Sequence, residues 1–339
     1  MIANAIKKLV ERQSLSSEEM HLVFGEMMDG KASDVQKCAF LVALRVKGET
    51  ADEIVGAAQA MRERVIRIDV DSDGLIDTCG TGGDGRGTFN VSTVAAFVAA
   101  GAGARVAKHG NRAVSSSCGS ADVLAELGVN IDLDAPRVTA VLERTGISFL
   151  FAPKLHPATA AVVPIRRELG VRTIFNALGP LTNPAFARRQ VMGVYSRHLV
   201  ETLANVLHAL GSVHAMVVHS DDDLDEISLS APTRVAELKD GKIRNYKLTP
   251  EDLGMEIYRL EEMKGGDAKT NARIALEVLD GVKGPRRDIV LANAGAALYV
   301  SGAVVTIRQG IDLAESSIDS GAARAKLDEL IRASLEGIG

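Results

Sequence analysis

Residues 80–87 read Gly-Thr-Gly-Gly-Asp-Gly-Arg-Gly. So many glycines can extend neither a helix nor a strand, so they force a loop between the flanking elements. Before them, Leu75-Ile76-Asp77-Thr78 reads as a short buried strand. After them, an Ala/Val-rich helix runs from about Asn90 to Gly101. A strand, a loop of small residues and a helix N-terminus together aim backbone N–H groups and the helix dipole at an anion. Asn90, Ser92 and Thr93 add polar side chains to the first helical turn, so the junction reads as a phosphate cradle. Gly80, Gly82 and Gly85 also spell G-x-G-x-x-G, but a dinucleotide site needs an acid ~20 residues further on to hold a ribose. No Asp or Glu lies between Asp84 and Asp122, and no Gly-Lys-Ser/Thr of a P-loop is present after it.

A second strand–loop–helix junction comes next. The strand from Ala104 ends in Lys108, and the loop continues His109-Gly110-Asn111-Arg112-Ala113-Val114-Ser115-Ser116-Ser117-Cys118-Gly119-Ser120. Lys108 offers a point charge, and the serines and backbone offer donors, which suits phosphate again. Two neighbouring cradles imply one ligand phosphorylated at both ends, or two phosphorylated ligands. His109 reads either as a general acid–base or as a hydrogen-bonding spacer.

His219 to Glu226 places five carboxylates in eight residues. Such a run is either a solvated acidic turn or a site for a hard cation such as Mg²⁺ beside a phosphate. Within it Asp225-Glu226 is the favoured pair, because Ile227-Ser228-Leu229 reads as a following strand that would fix their backbone. Arg166-Arg167-Glu168 sits late in an expected helix from about Ala158 to Leu169. One of these arginines suits a planar carboxylate, by bidentate pairing.

The rest of the chain sets the frame. The first seventy residues show helical periodicity in four segments. Three begin with capping boxes: Ser16 with Glu19, Ser33 with Gln36, and Thr50 with Glu53. From Asp73 onward strands and helices alternate, which implies a mostly parallel sheet covered by helices, and the tail from about Thr270 is helical again. The 339 residues are 46% hydrophobic and 24% charged with net charge −5, so neither a disordered chain nor a generic nucleic-acid binder is expected. The absence of Trp, with only four Tyr and eight Phe, also argues against base stacking. Three scattered cysteines point to a reducing cytoplasm, the N-terminal segment does not read as a secretory signal, and no membrane segment is expected.

The motifs together closely resemble the anthranilate phosphoribosyltransferase family. The matching blocks are Asp77 to Asp84, Phe89-Asn90-Val91-Ser92-Thr93, Lys108 to Ala113, Gly119 to Leu124, Phe151-Ala152-Pro153 and His156-Pro157. They continue with Arg166 to Gly170, Phe175-Asn176, Leu178 to Pro184, and Asp225-Glu226. The resemblance spans essentially the whole chain. It implies an α/β fold of the pyrimidine nucleoside phosphorylase type, with a small helical domain (residues 1–70, completed by about 165–184) and a larger α/β domain (71–164 and 185–339). It further implies a homodimer through the helical domain. The implied reaction is phosphoribosyl transfer from 5-phosphoribosyl-1-pyrophosphate to the amino group of anthranilate, in tryptophan biosynthesis.

By the same resemblance Gly80, Gly83, Asp84, Thr88, Asn90, Val91, Ser92, Thr93, Lys108, His109, Gly110, Asn111, Arg112, Ala113, Val114, Ser115, Ser116 and Ser120 hold the phosphoribosyl donor. Gly80, Asn111 and Arg166 contact anthranilate. Ser92, Asp225 and Glu226 hold Mg²⁺, two ions per subunit, and Lys108, Asn111 and Arg166 form the catalytic set. Thr159, Ala160 and Ala161 depart from the family pattern, in which Met, a basic residue and His or Tyr are frequent. Two other functions share the fold: pyrimidine nucleoside phosphorolysis, and nucleic-acid binding by a non-catalytic relative.

Overall fold

The computed structural model describes residues 1–113 and 118–336. Four helices open the chain: α1 (Ile2–Val10), α2 (Ser17–Met28), α3 (Asp34–Lys47) and α4 (Ala51–Arg62). All three capping boxes form, with Ser16, Ser33 and Thr50 accepting from the backbone N–H of Glu19, Gln36 and Glu53. Glu53 does more than cap its helix. It is fully buried, and it also accepts from Leu15 N (2.9 Å) and from Lys47 Nζ (2.9 Å), which ties three segments to one carboxylate.

The α/β part runs β1 (Leu75–Gly80), α5 (Val91–Gly101), β2 (Arg105–Gly110), α6 (Ser120–Glu126), α7 (Ala135–Thr145) and β3 (Ile147–Phe151). Then α8 (Ala152–Leu155), α9 (Val163–Leu169) and α10 (Phe175–Leu178) make an excursion before β4 (Arg189–Gly193), α11 (Leu199–Ala209) and β5 (His214–Ser220). A hairpin comes next, β6 (Thr233–Lys239) and β7 (Lys242–Leu248), and then α12 (Pro250–Leu253), α13 (Ala268–Leu279), α14 (Pro285–Ser301), α15 (Ile307–Asp319) and α16 (Ala322–Leu335). The seven strands form one sheet in the order β3-β2-β1-β4-β5-β6-β7; the first five are parallel and the last two pairings antiparallel. The chain steps outward from β1 to β3 and then returns to the other side of β1. The order therefore reverses between β1 and β4, which is where open α/β sheets leave a crevice beyond their strand C-termini.

Both faces of the sheet are covered, so its strands are apolar on both sides. Along β5, Met216 and Val218 join the core that holds α5, α14 and α16, while Ala215 and Val217 join the core that holds α1–α4 and α11. The second core also takes Val162, Ile165, Phe175 and Leu178 from the excursion.

Three sequence expectations change. The helix expected over 158–169 is a 3₁₀ segment, Pro157–Ala161, followed by α9. Pro164 has no N–H to give to a carbonyl one turn earlier, so helix can only restart around it. Residues 227–229 are not a strand. Ile227 and Leu229 are buried, but the backbone of Ile227 bonds the side chain of Asn293 instead of a neighbouring strand. The β6–β7 hairpin goes beyond the sequence expectations, although its signal is present: Asp240 and Gly241 both take positive φ in a two-residue turn between pairing runs.

Helix α4 lies close enough to α2 that a Cβ on Gly56 would sit 2.0 Å from the Ser17 carbonyl oxygen. Gly56→Ala should gain about 1 kcal/mol of helix propensity and lose more to an overlap with rigid backbone, since overpacking costs about 1–3 kcal/mol or more. Thermal melting should therefore show a lowered Tm; an unchanged or raised Tm would show that the helices can separate freely.

Candidate active site

The crevice between β1 and β4 is built on two glycines. A Cβ on Gly193 would lie 1.5 Å from the Asp225 carbonyl oxygen, and one on Gly80 would lie 2.7 Å from Asp225 Oδ2. Only bare backbone at both strand ends lets the acidic loop enter. Once seated, Asp225 Oδ2 accepts from Gly82 N (2.9 Å), and Glu226 Oε1 accepts from Ser92 N (3.1 Å) at the start of α5. The acidic loop, the glycine loop and the α5 N-terminus thus meet at one place.

The five carboxylates divide into two groups. Asp221 pairs with Arg234 and Lys247, Asp222 accepts from Ser228 and Ser230, and Asp223 pairs with Arg86 of the glycine loop. Asp225 and Glu226 have no cation of the protein in salt-bridge contact among the described residues. Burial raises the Asp225 carboxyl well above its usual range, and the nearby charges of Asp84 and Glu226 raise it further. Burial lifts Glu226 to about 7, against the opposing pull of Lys108. Asp84 Oδ2 is buried with no hydrogen-bond partner. Carboxylate oxygens that repel one another, one of them unsatisfied, have the donor chemistry that a divalent cation takes. Among the described residues no group of three His, Cys, Asp or Glu side chains is placed to hold a metal ion by itself, so a cation here needs other ligands. That suits Mg²⁺, which keeps several waters and completes its shell with substrate phosphate.

Lys108 lies within β2, buried, and burial lowers its ammonium below the usual lysine range. Its Nζ donates to the Thr78 carbonyl and to Ser92 Oγ (3.4 Å), so the charge lies behind Ser92. Asn90 begins α5, donating to the Cys118 carbonyl and accepting from Asn271. Val91 is buried in the core, and Thr93 is buried with its hydroxyl unpartnered. Gly83 and Thr88 lie on the glycine loop, where Arg172 donates to the Gly83 carbonyl and Thr88 bridges to Lys264.

In the second loop, Asp122 organises what the sequence presents as a run of cations and hydroxyls. Its carboxylate accepts from Ala113 N, from Gly119 N and from Arg112. Gly110 leaves room for Ser120, whose hydroxyl donates to the Asn111 carbonyl. Val114, Ser115 and Ser116 lie outside the described residues. Arg166 is half-buried, stacked 5.1 Å from the Phe175 ring centre, and burial lowers its guanidinium below the usual arginine range. Among the described residues no carboxylate pairs with it, and neither Arg166 nor Asn111 hydrogen-bonds to the carboxylate cluster.

Sequence reasoning left four structural partners out. Asn183 donates to buried Asp77 (2.8 Å) and to the Ala107 carbonyl (2.8 Å), which fixes the floor of both cradles. Gly193 admits the acidic loop, and Asn293 binds its backbone. His156 faces His109 with 3.2 Å between their Nε2 atoms. His109 Nδ1 donates to the Gly179 carbonyl, so its Nε2 presents a lone pair to His156. Burial, with the neighbouring ring, brings His109 down to about 3, and burial brings His156 down to about 4. Both rings are neutral at pH 7, and His109 has no free proton-accepting face, which favours the spacer role.

Known proteins share this fold. The helical bundle domain of a glycosyl transferase family matches residues 3–65, and the a/b domain of the same family matches residues 72–324. An anthranilate phosphoribosyltransferase of Anaeromyxobacter dehalogenans is 58% identical over 333 residues, 98% of each chain. The chain belongs to the anthranilate phosphoribosyltransferase family. The crystal structure of the anthranilate phosphoribosyltransferase from Thermus thermophilus superposes with TM-score 0.93 at 43% identity, covering 98% of this chain and 99% of that one. That from Saccharomyces cerevisiae in complex with PRPP and Mg superposes with TM-score 0.89 at 32% identity, over 98% and 97% of the two chains. The small helical and larger α/β parts expected of an anthranilate phosphoribosyltransferase are both present.

The neutral histidine pair has a pH signature. An unfolded histidine takes up a proton below about 6.5, while His109 and His156 do so only near 3 and 4. Their contribution to stability is therefore complete above pH 6.5 and is lost as pH falls from there toward 4. His156→Gln should flatten the Tm-against-pH profile in that window relative to wild type. Parallel profiles would show that the pair is protonated in the folded protein.

Proposed function

We infer that this chain transfers the phosphoribosyl group of 5-phosphoribosyl-1-pyrophosphate to the amino group of anthranilate, releasing pyrophosphate, in tryptophan biosynthesis. The observation that carries this reading is the meeting of Asp225 and Glu226 with the glycine loop and Ser92, in a chain that matches anthranilate phosphoribosyltransferases over nearly its full length. A nucleoside phosphorylase binds free phosphate and has no pyrophosphate to neutralise, and net charge −5 opposes a nucleic-acid partner.

Each part of the site has a task. The loop 80–88 and the first turn of α5 lay backbone N–H groups and the Ser92 and Thr93 hydroxyls along the donor phosphates, a preorganised charge environment. The second loop, from His109 to Ser120, holds the rest of the donor, and Lys108 keeps a positive charge beneath Ser92. Bound Mg²⁺, held by Ser92, Asp225 and Glu226, would supply charge neutralisation for the leaving pyrophosphate. We assign two ions per subunit, as the likeness to anthranilate phosphoribosyltransferases implies. Arg166 binds the anthranilate carboxylate, with Asn111 and Gly80 completing the acceptor contacts, so that the amine faces the sugar carbon. The arylamine is neutral at pH 7 and needs no strong base.

We also propose a homodimer through the helical part. On α3, Val35, Val42 and Val46 share one face, and they are exposed to 79%, 38% and 68%. Exposed Val10 adds α1 to that surface. The scattered cysteines support a cytoplasmic location, and no described helix is long and apolar enough to cross a membrane.

Three measurements test these readings. Purified protein with the donor and MgCl₂ should consume anthranilate fluorescence. Absence of that loss, with release of thymine from thymidine and phosphate, would overturn the transferase reading. Arg166→Ala should raise KM for anthranilate about 10- to 100-fold, the worth of one charge-assisted bidentate pair, and leave the donor KM within about twofold. Equal effects on both substrates would remove Arg166 from the acceptor site. Val42→Glu with Val46→Glu should shift the light-scattering mass from dimer to monomer, and a persistent dimer would exclude this face.

A further inference from the structure

Asn293 lies on α14, in a helix that is otherwise almost wholly apolar where it faces the sheet, and it is 3% exposed. Its side chain is fully committed. Oδ1 accepts from Ile227 N (3.0 Å), and Nδ2 donates to the Ile227 carbonyl (2.9 Å) and to the Ile289 carbonyl (2.9 Å). The amide thus takes both backbone groups of the residue next after Glu226. It replaces the neighbouring strand that this stretch lacks. On the other side, Gly193 fits so tightly against Asp225 that the loop has no room to shift that way. One residue further along, Ser228 N donates to Thr233 Oγ1 (3.0 Å).

We propose that Asn293 is a positioning residue for the reaction: it holds the Asp225–Glu226 backbone so that two mutually repelling carboxylates stay converged for the cation. The repulsion is intrinsic to the site, and a loop of this kind relieves it by swinging one carboxylate away unless its backbone is clamped. Partners one shell removed from a metal typically change its affinity about 10- to 100-fold when lost. Asn293 touches neither substrate nor cation.

This inference rests on the assignment of Asp225 and Glu226 as the cation-holding pair, so the test carries a control for that assignment. Mn²⁺ binding in the presence of pyrophosphate is followed by electron paramagnetic resonance, with wild type, Asn293→Leu and Glu226→Gln compared. Asn293→Leu should weaken Mn²⁺ binding about tenfold or more and raise the Mg²⁺ concentration for half-maximal activity in parallel, with KM for anthranilate unchanged. Wild-type Mn²⁺ affinity in Asn293→Leu, whatever its Tm, overturns the proposal provided Glu226→Gln does lose affinity. Undiminished binding in Glu226→Gln instead overturns the underlying metal assignment. Should Asn293→Leu fail to fold, Thr233→Val loosens the same loop from its other end and should show the same split at smaller size; unchanged Mn²⁺ affinity there overturns the proposal as well.

Discussion

The seating of Asp225 between two strand ends is the constraint on which the rest of the site depends. It requires Gly193 and Gly80 to be bare, because a methyl group on either would occupy space that Asp225 already fills. It requires the strand order to reverse between β1 and β4, since only there do two parallel strand ends part to admit a loop. It also concentrates negative charge in an enclosed place, which raises the Asp225 and Glu226 carboxyls and leaves an oxygen of Asp84 without a partner. Carboxylates crowded together in an enclosed place, with only the charge of Lys108 pulling against the rise at Glu226, are unfavourable by themselves. Such a cluster has the most to gain from a cation bound beside it.

The helical part is joined to this site through shared cores rather than by a linker. Residues from the excursion between β3 and β4 pack with α1–α4, and the same core continues onto one face of β4 and β5. Arg166 leaves that excursion half-buried beside Phe175, while Arg172, a turn later, reaches the Gly83 carbonyl and stacks 4.4 Å from the Tyr195 ring centre. The segment that carries Arg166 therefore also touches the glycine loop. The scarcity of aromatic residues has a counterpart here: among the described residues the ring that stacks on Arg166 is Phe175 alone.

Much of this is readable from residue order, because the relevant physics is local. Capping boxes at Ser16, Ser33 and Thr50 specify helix starts within four residues, and all three form. The glycine loop announces a strand-to-helix turn wherever it sits in a fold. The errors fall where distant partners decide. Ile227-Ser228-Leu229 has the apolar spacing of a strand, yet its backbone is satisfied by Asn293, 66 positions away. Pro164 splits a helix whose apolar pattern runs straight through it.

Residue order was enough for the two strand–loop–helix junctions, the helical opening, the alternation that makes a parallel sheet, and a cluster of acids whose use stayed open between solvent and metal. Those come from backbone chemistry and short-range spacing. The residue order favoured Asp225-Glu226 only through a strand over 227–229 that does not form, and the physical difference among the five acids lies in their distant partners. Asp221, Asp222 and Asp223 found arginines, a lysine and two serines, while Asp225 and Glu226 were carried to the β1–β4 crevice with no cation in salt-bridge contact among the described residues. No spacing rule distinguishes five neighbouring carboxylates. What separates them is which distant groups the sheet order delivers to each.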